Sequence, residues 1–257
     1  EYYYNQVGDS SREPEYGVDN GTFTFKDPRN TGSNFIINFS FFNSTKDSEN
    51  YVKLYIPSSV TYENVNIDTD LGDVTCDDLN GKDVVINNNS GDINCKNITC
   101  ETITITDDLG DVELDNITAD TIDVINNSGD INCTNITSNE LSIEDDLGNI
   151  YLDKVICEEN ISITNSSGDI DINNIESTDV SIEDDLGNIT MIGIDISNGT
   201  ITNSSGDITI EDGSVETLNV KGDLGDIELY LKGELSDYDY TLETDLGDVE
   251  VNEKEEG

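Results

Sequence analysis

Ten glycines recur at a nearly constant interval, and that interval limits the possible folds more than any other feature of the chain. They are Gly72, Gly91, Gly110, Gly129, Gly148, Gly168, Gly187, Gly206, Gly225 and Gly247, separated by 19, 19, 19, 19, 20, 19, 19, 19 and 22 residues. A repeat of this length is a unit too small to bury its apolar face alone, so neighbouring units must stack as a solenoid. The glycine sits alternately in DLG(D/N) and (N/S)SGD, which makes the larger unit two coils.

Counting from each glycine brings out the inward columns. Two residues after it stand Val74, Ile93, Val112, Ile131, Ile150, Ile170, Ile189, Ile208, Ile227 and Val249; four after it stand Cys76, Cys95, Leu114, Cys133, Leu152, Ile172, Met191, Ile210, Leu229 and Val251. Apolar residues two apart, with a polar residue between, mark a strand with one buried face. The pattern recurs as Ile98 and Cys100, Ile117 and Ala119, then as Ile103 and Ile105, Ile122 and Val124, Leu141 and Ile143. Each coil thus supplies three short strands with two inward residues apiece. The reading is an all-β, single-stranded parallel β-helix (β-solenoid) of about 19 residues per coil, with equivalents about 4.8 Å apart. Right-handed coiling is the expectation for parallel connections. A tight corner commonly needs a positive φ, which glycine adopts without steric cost, so a positive φ is expected at all ten glycines.

The residues around the glycine alternate as well. Two before it run Asp70, Asn89, Asp108, Asn127, Asp146, Ser166, Asp185, Ser204 and Asp223; one before it run Leu71, Ser90, Leu109, Ser128, Leu147, Ser167, Leu186, Ser205 and Leu224. Like charges one coil apart repel by about 1 kcal/mol even in water. Placing them on every second coil, near 10 Å, brings them to about the Debye length. Large over small in the leucine and serine column is the pattern of interdigitating layers. Descent from a duplicated two-coil unit explains both alternations equally well. The residue after the glycine is Asp73, Asp92, Asp111, Asp130, Asn149, Asp169, Asn188, Asp207, Asp226 or Asp248. That column has oxygen spacing calcium could bridge, but side chains of this type more often bond corner backbone N–H groups, and no DxDxDG-type loop concentrates ligands.

Composition narrows the function classes. With 57 Asp+Glu against 11 Lys+Arg and a formal charge of -46, the chain repels nucleic acid and anionic lipid head groups. No apolar run is long enough to span a bilayer and no signal-peptide pattern is present in these residues. All five cysteines fall on inward columns, Cys76, Cys95 and Cys133 four after a glycine and Cys100 and Cys157 nine after, where they read as small buried hydrophobes. A disulfide between stacked Cys76 and Cys95 draws little support from the odd count. Zinc is disfavoured in a chain without histidine. Asn-x-Ser/Thr triplets at Asn97, Asn116 and Asn135 are what a chain rich in these residues produces by chance. No catalytic, cofactor-binding or metal-binding residue is assigned, and no cofactor is expected.

The first fifty residues are different material, holding all six phenylalanines between Phe23 and Phe42. The organisation expected is a flexible tail over 1–19, an N-terminal β cap over 20–50, the parallel β-helix over 51–251 and a C-terminal tail over 252–257. In the entry coil Val60, Tyr62, Val65 and Ile67 take inward positions. Tyr238 and Tyr240, in the longer last interval, help close the other end.

Repeated SGDI, LGDV and LGNI motifs, preceded by a strand of the form YVKLYIP, resemble the bacterial adhesin-like domain family of unknown function over roughly residues 20 to 251. The resemblance implies a β-helix shown outside the cell, with a membrane anchor lying outside this chain. The expected function is that of a non-enzymatic, acidic, rigid surface protein, an adhesin-like binding or sensing module of the bacterial envelope. Its partner would be a protein, glycan or cationic peptide, with no nucleic acid, and the chain itself is expected to be monomeric. One alternative is a calcium-dependent or self-assembling scaffold. Another is a carbohydrate-active enzyme, which would need a raised-pKa carboxylic acid beside a second carboxylate; the abundance of Asp makes such a pair uninformative in sequence.

Overall fold

The β-branched column two residues after each glycine becomes one continuous ladder. In the computed structural model Val74, Ile93, Val112, Ile131, Ile150, Ile170, Ile189, Ile208, Ile227 and Val249 pair in parallel, each with its equivalent in the next coil. From Ile93 to Ile227 every member is at most 1% exposed. The structure describes residues 61–233, 236 and 238–253, and backbone strands at Tyr2–Asn5, Glu15–Asp19, Thr22–Lys26, Ile37–Phe39 and Tyr51–Leu54. Val60 and residues 254–257 lie outside the described residues, as do the stretches between those early strands.

The other two faces are built alike. Leu79, Ile98, Ile117, Ile136 and Val155 line one, and Ile103 with Ile105, Ile122 with Val124 and Leu141 with Ile143 line the other, all buried. The result is an all-β parallel solenoid whose described residues include no α-helix. Its strands are less segmented than the two-residue pattern implies. Val112–Thr118 and Thr121–Asn126 are separate, but Ile131–Asp145, Ile150–Asn165 and Ile170–Asp184 each run unbroken around corners. The chain bends there while its N–H and C=O groups stay aimed at the adjacent coils, so the pairing survives the bend.

Irregular intervals are absorbed at corners. Ser138 pairs with Cys157 but Glu140 with Asn160, so the additional residue of the 20-residue interval bulges out between Cys157 and Asn160. In the longest interval Ile208 still pairs with Ile227, whereas Thr217 pairs with Asp239. The three additional residues fall between Ile227 and Asp239, and the inward rows keep their phase on either side.

At the first coil Ile37–Phe39 adds in parallel to Tyr62–Thr69, with Ile37 opposite Ile67. Tyr62, Val65 and Ile67 pack, partly buried, on the core, as do Tyr238 and Tyr240 at the other end. Tyr2–Asn5, in the segment expected to be a tail, pairs antiparallel with Tyr51–Leu54, and Glu15–Asp19 pairs with Thr22–Lys26.

The glycine corner departs from expectation in its cause. Gly129 has a φ of 128°, and most of its equivalents share the positive region, but Gly148, Gly187 and Gly247 do not. What unites the column is proximity: a Cβ on Gly148 would overlap the carbonyl oxygen of Gly129, and each later glycine likewise meets its predecessor. Successive corners stack backbone on backbone, leaving no room for a side chain. Gly72 starts the column and has no such predecessor, so a Cβ there would meet nothing within 4 Å.

Gly148→Ala, with no positive φ to strain, is therefore expected to lower stability by about 1–3 kcal/mol through overpacking alone, seen as an earlier urea midpoint. Wild-type stability for this variant would contradict the crowding account.

Candidate functional site

The glycine corner carries the most organised chemistry of the solenoid, on both its outer and inner sides. On the outer side the leucine column does not interdigitate, as its alternation with serine suggested. Leu109, Leu147, Leu186, Leu224 and Leu246 are 58%, 59%, 57%, 49% and 69% exposed, while the intervening serines are half-buried. The glycine corner turns outward at this position, so the side chain projects away from the rows it was expected to join. Leu109, Leu147, Leu186 and Leu224 lie two coils, or roughly 10 Å, apart, and Leu246 lies opposite Leu224 in the adjacent coil, so that together they form an apolar ridge along the rod. Asp108 and Asp111 flank Leu109, Asp146 precedes Leu147, Asp185 precedes Leu186, and Asp223 and Asp226 flank Leu224.

The carboxylates beside the ridge are held by backbone and amide donors. In the column after the glycine, the N–H of each residue donates to the side-chain oxygen of its equivalent one coil earlier: Asp92 to Asp73, Asp111 to Asp92 and Asp130 to Asp111, at 3.1, 3.1 and 2.8 Å. The ladder continues through Asn149, Asp169, Asn188, Asp207, Asp226 and Asp248. This is the corner-bonding role, executed between coils and not within one turn. In the column two before the glycine, Asn127 donates to Asp108 at 2.8 Å and Asn89 to Asp70 at 3.3 Å. The neutral residue of that alternation both separates the charges and hydrogen-bonds one of them.

On the inner side lies a seventh inward column that the period-two pattern does not reveal. Three residues before the glycine stand Thr69, Asn88, Asp107, Asn126, Asp145, Asn165, Asp184 and Asn203, all at most 6% exposed. The asparagines donate to glycine carbonyls: Asn126 Nδ2 to Gly110 O and Gly129 O at 3.1 and 3.0 Å, Asn165 Nδ2 to Gly148 O and Gly168 O at 3.2 and 3.1 Å. The aspartates have no such bond, and neither carboxylate oxygen of Asp107, Asp145 or Asp184 meets any partner in hydrogen-bond geometry. Burial pushes their carboxyls up, to about 6, 7 and 6. The nearby N–H groups of Asp108 and Leu109 offset part of this at Asp107, and the charges of Asp108 and Asp92 add to it. The signal was available, since Asn and Asp alternate three before the glycine from Gly91 to Gly206, but in a chain this polar nothing local marks that position as interior.

The cysteines are free thiols, Cys95, Cys133 and Cys157 buried and Cys76 and Cys100 partly so. Burial pushes Cys76 up to about 11 and Cys100 and Cys133 to about 12, so all three are protonated and unreactive at neutral pH. Among the described residues no group of three or more Cys, Asp or Glu is placed to hold a metal ion.

A second corner, six residues after the glycine, holds Asp78, Asn97, Asn116, Asn135, Lys154, Asn174 and Asp212 with φ between 53° and 57°. Asparagine and aspartate tolerate this left-handed conformation best among residues with a Cβ. The triplets at Asn97, Asn116 and Asn135 thus have a backbone cause, and Asn116 Nδ2 donates to Asn97 Oδ1 at 2.7 Å.

Stacked coils, buried aliphatic rows and an acidic corner define a parallel β-solenoid repeat protein. The chain belongs to the Toastrack DUF4097 family, a family of unknown function, which matches residues 1–173 and again 150–257. No curated protein and no solved structure matches it.

Lys154 is the one long side chain in the left-handed column, and its ion pair with Asp153 is exposed and worth little. Lys154→Asn is expected to raise stability by about 1 kcal/mol, read as a later urea midpoint; no gain would show that the corner does not strain lysine.

Proposed function

We propose that this Toastrack solenoid is a non-enzymatic binding or sensing module of the bacterial cell envelope, adhesin-like in role, held at the surface through a segment outside this chain. The leucine ridge carries the reading. Five exposed leucines, four of them spaced two coils apart and the fifth beside Leu224, between rows of carboxylates, form a surface that water alone does not favour and that a cationic partner with apolar residues about every 10 Å would cover. The carboxylates steer such a partner and the leucines retain it. A cationic amphipathic peptide or protein segment fits this chemistry better than a glycan, because the chain has no tryptophan for sugar stacking.

The enzyme alternative needs a raised-pKa carboxylic acid that a substrate can reach. The carboxyls raised by burial, Asp107, Asp145 and Asp184, are 0%, 1% and 0% exposed, inside a packed corner closed to a sugar. That supports the binding reading over a glycosidase.

Calorimetric titration with a synthetic Leu/Lys amphipathic helix tests the proposal. Wild type is expected to bind, with affinity falling as salt rises, and a variant with Leu109, Leu147, Leu186 and Leu224 all changed to Ser is expected to bind at least about tenfold more weakly, since each leucine covered contributes roughly 1–2 kcal/mol. Equal binding by the two proteins would remove the ridge from function.

A further inference from the structure

In the column three residues before the corner glycine, asparagine supplies a donor that aspartate, as a carboxylate, cannot. Every asparagine of that column directs its amide at a glycine carbonyl. Asn88 reaches Gly91 O, Asn126 reaches Gly110 O and Gly129 O, Asn165 reaches Gly148 O and Gly168 O, and Asn203 reaches Gly187 O. In the last coil Thr244, three before Gly247, sends its hydroxyl to Gly225 O at 3.1 Å, so an O–H group serves as well as an amide. Asp107, Asp145 and Asp184 occupy the same slot in the intervening coils and are fully buried, with both oxygens unpartnered.

Ionised, each would hold a full negative charge inside the corner, with no cation beside it and only the N–H groups of the next two residues to offset part of its burial. The charged groups nearest Asp107 are Asp108 in its own coil and Asp92 in the preceding one; Asp146 and Asp130 stand near Asp145, and Asp185 and Asp169 near Asp184. All are carboxylates. Within the column the neighbours above and below are the neutral asparagines, and the ion-paired lysines, Lys82, Lys96, Lys154 and Lys221, are engaged with Glu63, Asp115, Asp153 and Asp223 instead. A buried carboxyl in such surroundings takes up a proton more cheaply than it keeps a charge.

We propose that Asp107, Asp145 and Asp184 are three interior proton-binding sites: in mildly acidic solution each is a neutral carboxylic acid in the folded solenoid, its O–H donating to a glycine carbonyl as the asparagine amides do. Folding then takes a proton from solvent at each site, and the stack is a proton-linked structure. The sign follows from linkage. A carboxyl whose folded pKa lies above its unfolded value contributes most below the unfolded value, near 4, and its contribution is lost as pH rises through the folded value. Here that window runs from about 4 to about 6–7.

The test compares wild type with the triple variant Asp107→Asn, Asp145→Asn, Asp184→Asn, which places in these slots a residue the column already accepts. Removing only these carboxyls separates their effect from the general relief of surface repulsion by acid. Near pH 5 the two proteins are expected to melt together, and near pH 8 the variant is expected to melt higher by at least about 5 °C. A variant no more stable than wild type near pH 8 overturns the proposal. Carbon-13 NMR of the carboxyl groups supplies a readout independent of stability: three resonances titrating about two to three units above ordinary aspartate are expected in wild type and none of them in the variant. Absence of any carboxyl titrating above about pH 5 overturns it. So does a rise in wild-type melting temperature near pH 8 on adding millimolar calcium or magnesium, if it is reversed by chelator and missing in the triple variant, because the sites would then hold metal and not protons.

Discussion

Everything in this molecule rests on the distance between one coil and the next. Sheet hydrogen bonds hold that distance near 4.8 Å on all three faces, and the glycine corner is where the backbone itself has to comply with it. A Cβ on most of these glycines would overlap the preceding glycine's carbonyl, so even one methyl group would force two coils apart. Because the same spacing sets how the isoleucine rows stack, a defect at the corner propagates into the core. Each residue's environment is made chiefly by its equivalents above and below, which gives the solenoid a nearest-neighbour energetics.

The same spacing explains how the chain tolerates a formal charge of -46. Carboxylates that would stack at one-coil intervals are either separated by a neutral donor, as in the column two before the glycine, or tied to a backbone N–H one coil on, as in the column after it. In the interior column the device is alternation of asparagine with aspartate, and that alternation leaves three carboxyls with nothing to neutralise them except a proton. The two-coil period visible in the sequence is thus matched by a physical difference between odd and even coils. Through the middle of the stack, the coils of Gly110, Gly148 and Gly187 carry an exposed leucine and a buried carboxyl, and those of Gly91, Gly129, Gly168 and Gly206 carry serine and asparagine.

Much of the fold was legible before any coordinates. Inward rows such as Ile122 with Val124 are defined by a period of two within the strand and of nineteen between strands, and both can be counted along the chain. The thiols could be placed inside because they substitute for Leu, Ile and Met in their columns. The corner was harder to read. Leu147 and Asp145 are two residues apart, and hydropathy alone puts the leucine inside and the aspartate outside; the structure does the reverse, with Leu147 59% exposed and Asp145 1%. Likewise Asn97, Asn116 and Asn135 looked like products of composition until their φ values showed a left-handed corner that asparagine accommodates.

Coil length, coil number and the membership of each strand column follow from spacing along the chain, since stacking equivalent residues is the only way such short strands can bury their apolar faces. Which way a side chain points at a corner, and whether a glycine is there for its φ or for lack of space, depends on the coil lying against it. Those contacts join residues sixteen to twenty apart across a tight turn. A local pattern of polar and apolar residues carries no information about that direction, so the acidic leucine ridge and the interior carboxyls became visible only once the coils were stacked.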